Sequence, residues 1–179
     1  MGAPSDTIGA LRMELSVAAD PQDAVAMAAY MKHRFPFLGV KAPARRRASR
    51  AYIDASKRTS ADDAVTMTMA LRAQPEREFH YVASDVLAAN ARRLRADHIG
   101  DLERCLTTDS WWDTVDALAS PTVGTMVLEH PSIVAVMDRW IDDHDFWLAR
   151  AAIIHQLRFK ERTDAERLFT YALRRAGRR

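Results

Sequence analysis

The densest run of chemically capable side chains in this 179-residue sequence is Asp109-Ser110-Trp111-Trp112-Asp113-Thr114-Val115-Asp116. Ser110 and Asp113 stand three apart, close to the spacing at which a hydroxyl and a carboxylate close the first turn of a helix. A helix is therefore expected over residues 110–119. With about 100° of rotation per residue, Val115 and Leu118 fall beside Trp111, which makes that face the core. Trp112 and Asp116 stand four apart and share the neighbouring face, so an indole and a carboxylate project together near the helix start. The pair is a candidate functional site. The plainer alternatives are core packing for Trp111 and a helix-dipole role for Asp113. They explain Trp112 with Asp116 less well.

A second anomaly follows Asp142-Asp143-His144-Asp145, which reads as a helix-start cluster. Phe146, Ile153, Ile154 and Leu157 form an apolar stripe, and Arg150 stands inside it. A guanidinium there must snorkel outward, join a structural salt bridge, or meet an anion, either Asp116 or a phosphate. A third feature is the connector Phe35-Pro36-Phe37-Leu38-Gly39-Val40-Lys41-Ala42-Pro43 and its approach, Tyr30-Met31-Lys32. Its aromatics can plug it into a core, and taken alone Tyr30 reads as a core residue.

These residues need a frame, and the sequence predicts an all-α one. Helices are expected over 6–18 and 21–34, through the Arg45-Arg46-Arg47-Arg50 segment, from a Ser60 cap to about 72, and from Pro75 to about 94. Glu76 and Glu78 sit well for the dipole of that last helix. Further helices are expected at 97–107, 110–119, 121–129, 131–142, 144–160 and 163–176. Strand-like alternation is nearly absent. Successive helix pairs recur every 35 to 40 residues or so, the spacing of HEAT-like solenoids, with a compact irregular bundle as the alternative.

Composition bounds the chemistry. Residues 1–179 suffice for a single domain. Lys plus Arg number 26 and Asp plus Glu 24, so any nucleic-acid argument rests on where the arginines sit. The single cysteine, Cys105, excludes an internal disulfide and a multi-cysteine metal cluster, and reads as a buried thiol. The six histidines are scattered, with no zinc-ligand spacing, and no Gly-rich phosphate loop occurs, so neither metal nor cofactor is expected. No signal peptide or membrane-spanning run is read, so a cytoplasmic protein is expected.

The sequence resembles the AlkD-like DNA alkylation repair family. The resemblance is carried in order by Tyr30-Met31-Lys32, the Phe35–Val40 connector, Pro43 with Arg45-Arg46, Pro75-Glu76-Arg77-Glu78-Phe79, Ser110–Asp116 with its Trp-Trp-Asp-Thr-Val-Asp run, and Trp147-Leu148 with Arg150-Ala151-Ala152-Ile153. It implies tandem HEAT-like antiparallel helix pairs forming a curved solenoid with a basic concave face for duplex DNA. It also implies hydrolysis of the N-glycosidic bond of cationic 3- or 7-alkylpurines, without base flipping. By motif position Asp116 resembles the catalytic carboxylate, Trp112 an aromatic packed on the lesion nucleotide's backbone, Arg150 a phosphate-binding arginine, and Tyr30 another aromatic of the cleft. Arg45, Arg46, Arg47 and Arg50 are the favoured phosphate contacts, ahead of Arg92, Arg93 and Arg95. Family members usually continue beyond the point where this sequence stops, and one of their further helices bears another cleft Trp that no residue here replaces. Two other readings stand beside the glycosylase: a non-catalytic duplex-binding repeat protein, and a protein-interaction scaffold.

Overall fold

The structure, a computed structural model, describes residues 4–177, with side chains from Thr7 onward. Met1–Ala3, Arg178 and Arg179 lie outside it. The described residues are all-α: helices joined by short turns, with no strand. None of the helices is long and apolar enough to cross a membrane. The chain divides into two compact units, Met1–Ala89 and Asn90–Arg179.

The first unit contains α1 (Pro4–Val17), α2 (Pro21–Tyr30), α3 (Ala42–Ala48), α4 (Arg50–Ser56), α5 (Ala61–Arg72) and α6 (Arg77–Asn90), whose last residue marks the boundary. Local sequence explains several ends. Asp20 caps α2 by accepting the Gln22 and Asp23 amides, and Pro21 opens the helix. Ser60 caps α5 in a full capping box with Asp63. The core gathers Leu11 and Leu15 of α1, Tyr52 of α4, Ala64 and Leu71 of α5, and Phe79, Val82 and Val86 of α6, with Val40 from the connector.

That connector is held by tertiary bonds. Glu78 is fully buried and its carboxylate accepts the backbone N–H groups of Leu38, Gly39 and Val40 at 3.1, 2.9 and 3.0 Å. The Arg77 amide donates to the Pro36 carbonyl at 2.9 Å, and its guanidinium lies 3.7 Å from the centre of the Phe35 ring. Glu76 takes two hydrogen bonds from Arg12 of α1. The pair expected to serve the dipole of α6 thus makes long-range links as well. Gly39 adopts φ +85°, and a Cβ there would sit 1.9 Å from the Asp20 carbonyl oxygen, so only glycine fits.

The second unit contains α7 (Ile99–Thr107), α8 (Trp112–Leu118), a π-helical turn (Ala119–Val123), α9 (Gly124–Glu129), α10 (Val134–Trp140), α11 (Phe146–Ile154) and α12 (Ala165–Ala176). Helix α11 is central, packing against α7, α8, α10 and α12. Its buried face is Leu148, Ala149, Ala151 and Ala152, whose small side chains let neighbouring helices approach. Gly124 serves the same end: a Cβ there would lie 2.2 Å from the His155 carbonyl oxygen. Trp140 is buried and donates its indole N–H to Glu103 at 2.9 Å, and Cys105 is buried too.

Candidate active site

The start of α8 differs from the capping-box expectation. Asp109 adopts φ +48°, and the Ser110 hydroxyl donates back to the Leu106 carbonyl of α7. Trp111 becomes the N-cap with no side-chain cap bond, while the Asp113 carboxylate takes the Thr114 amide at 2.8 Å. Ser110 is drawn away by the preceding helix, a competition that local spacing does not reveal. The faces fall as expected: Val115 and Leu118 are buried, and Trp111 is half-buried with its ring centroid 5.7 Å from that of Trp147. Trp112 remains 42% exposed.

Asp116 and Arg150 meet. Arg150 Nε donates to Asp116 Oδ1 and Nη2 donates to Oδ2, both at 2.6 Å, a two-pronged pairing from α11 to α8. The side chains keep 35% and 36% of their exposure, so the pair lies open to solvent rather than beneath the core. Hydrogen bonding to Asp116 raises the Arg150 pKa above its ordinary value, although partial burial opposes the shift. A guanidinium has five N–H donors, and Asp116 uses two; the rest can take a further anion.

The apolar stripe around Arg150 does not face the core. Phe146 and Leu157 are exposed, while Ile153 and Ile154 are half-buried. The core face of α11 lies on its Leu and Ala side. Phe146, Arg150, Ile153, Ile154 and Arg175 instead border a pocket of about 120 Å³, small beside the roughly 300–1,000 Å³ of sites that enclose a ligand. Asp145 caps α11 by accepting the Trp147 and Leu148 amides, which seats Phe146 at the first helical position, one turn before Arg150. Phe146 lies beside Arg150, as its spacing implies, but on an exposed face; the stripe reads as core until α11's neighbours are known.

Among the first-unit candidates, Tyr30 is 69% exposed, which corrects its reading as core. It borders a pocket of about 420 Å³ with Met27, Phe37, Lys41, Arg45 and Tyr81. The arginine cluster divides. Arg46, Arg47 and Arg50 are exposed. The Arg45 side chain is only 12% exposed and lies 3.9 Å from Asp85, with its guanidinium 4.5 Å from the centre of the Tyr81 ring. Its Nε is buried without a hydrogen-bond partner, and burial lowers its pKa. Successive residues on short α3 point about 100° apart, so a run of three arginines cannot share one face.

A family model of DNA alkylation repair enzymes matches residues 11–179. The chain belongs to that family. A solved structure described as a "predicted DNA alkylation repair enzyme" from Enterococcus faecalis is 29% identical, with a TM-score of 0.80 over 87% of this chain and 73% of the other. No curated protein matches. In this DNA alkylation repair family member, the Asp116–Arg150 fork between α8 and α11 lies within the matched residues.

Proposed function

We propose that this protein is a DNA glycosylase that hydrolyses the N-glycosidic bond of cationic 3- or 7-alkylpurines in duplex DNA. The observation that carries this reading is the two-pronged Arg150–Asp116 pair, held at a solvent-facing position one helical turn from exposed Trp112. A purine with an alkylated ring nitrogen bears a formal positive charge. When its bond to the sugar C1′ breaks, the purine takes the bonding electrons and leaves neutral, so no general acid is required. The sugar is left as an oxocarbenium ion. Asp116 stabilises that cation and orients a water, whose oxygen bonds to C1′ while its proton passes to the carboxylate or to solvent. Arg150 fixes the carboxylate's orientation, and its remaining donors suit a flanking phosphate. Trp112 offers an aromatic face to the cationic nucleotide, worth about 0.5–2 kcal/mol. As the family resemblance implies, the base is not flipped into the protein.

A second reading, duplex binding without catalysis, draws on the same fork, because both Asp116 oxygens already accept from Arg150. One assay separates the two. Methylated duplex DNA is incubated with the protein and free methylated purine is measured. The glycosylase reading expects release, reduced about 10²-fold or more by Asp116→Asn. Wild type releasing base no faster than Asp116→Asn refutes it, and salt-dependent duplex binding without release supports the second reading.

A further inference from the structure

Helix α2 ends in a Schellman-type closure: Lys32 N–H donates to the Ala29 carbonyl at 3.0 Å, and His33 N–H to the Ala28 carbonyl at 2.7 Å. The residue after such a helix end takes a left-handed conformation, for which glycine is usual. Here it is Lys32, at φ +56°, and His33 follows at φ +54°. Two successive non-glycine residues in this region are both strained, because the Cβ of an L-residue crowds its own carbonyl there. Such strain persists only where the surroundings over-determine the backbone. They do so here: Met31 before the turn and Phe35 after it are buried, and Phe35 lies under the Arg77 guanidinium. Lys32, His33 and Arg34, between those anchors, are all exposed, and Lys32 stands two residues after Tyr30.

The surrounding charge is one-sided. Residues 24–53 contain seven Lys and Arg and no Asp or Glu, in a chain whose net charge is only +2. Several of those cations face carboxylates: Lys41 pairs with Asp23 at 2.8 Å, Arg45 approaches Asp85, and Arg46 and Arg50 feel the charges of Asp85 and Asp54. We infer that the Lys32-His33-Arg34 turn is a rigid cationic knuckle that contacts the phosphate backbone of duplex DNA beside Tyr30. This rests on the proposed action on duplex DNA. A compact ammonium suits a single phosphate. A backbone locked between two buried anchors presents it with little ordering left to lose on binding.

The test measures binding of an undamaged duplex by fluorescence anisotropy from about 50 to 200 mM salt. Lys32→Gln should weaken binding several-fold, alike for all sequences, and reduce the slope of log affinity against log salt by about 0.9. Lys57→Gln, which removes an exposed lysine paired with Asp54, should change neither. His33→Gly should raise the Tm by about 2–4 °C as strain is released and leave duplex binding within about twofold of wild type, because the buried anchors still fix the turn. Wild type that releases methylated base and binds duplex, while Lys32→Gln keeps full affinity and slope, overturns the knuckle alone. His33→Gly weakening binding as much as Lys32→Gln overturns the argument that the anchors hold the turn rigid. Wild type with neither base release nor duplex binding overturns the underlying reading, and the knuckle with it.

Discussion

At the residue scale, Asp116 and Arg150 pose a choice between a structural ion pair and a chemical one. Both side chains keep about a third of their exposure. Pairs so exposed contribute about 0–1 kcal/mol to stability, because water screens them and two side chains must be ordered. Asp116→Asn should therefore leave the Tm within about 4 °C of wild type while abolishing most base release. A large loss of stability with unchanged base release would return the pair to a structural role. Arg150→Lys separates charge from shape. It keeps the cation but loses the planar fork that holds both carboxylate oxygens. Single-turnover base release should fall at least about tenfold, since a carboxylate free to rotate no longer aims its water.

At the element scale, the connector between α2 and α3 depends on one carboxylate. Glu78 on α6 accepts three backbone N–H groups from Leu38, Gly39 and Val40. Glu78→Ala would bury those donors without partners, at a cost of about 3–5 kcal/mol. Chemical denaturation should show that loss, with Glu78→Gln retaining part of it. A cost below about 1 kcal/mol would mean that the connector does not rely on this bond set. The Glu78 contacts join residues about forty positions apart in sequence. From the sequence, Glu78 reads only as a favourable charge in the first turn of a helix. Which amides it serves depends on how α6 lies against the connector, and that is decided by packing around Val40 and Phe79.

At the scale of the whole molecule, several ionisable groups tie stability to pH. The Arg12 hydrogen bonds hold Glu76 below the usual glutamate range, and burial holds His155 below the usual histidine range. For each, the unfolded chain binds the proton more readily. Their stabilising contributions are present above the ordinary values and are lost as pH falls through the lowered ones. Asp85 acts in the opposite sense, since burial raises its pKa and favours the folded state at low pH. The Tm should fall as pH drops from 7 toward 4. The gap between wild type and Arg12→Met, about 1 kcal/mol at neutral pH, should narrow as Glu76 protonates. A gap unchanged from about pH 5 down to about pH 2 would mean that Glu76 is not held by Arg12. Local rules in the sequence determined the all-α class, the Ser60 box, the buried side of α8 and the placing of Trp112 with Asp116, because these depend on helical periodicity and on contacts within a few residues. Tertiary structure decided that Asp116 meets Arg150, that the Phe146 stripe faces outward, that Tyr30 is exposed and that Arg45 turns inward beneath Tyr81. Each of these depends on which neighbour covers a helix face, and that is a property of distant segments packing together.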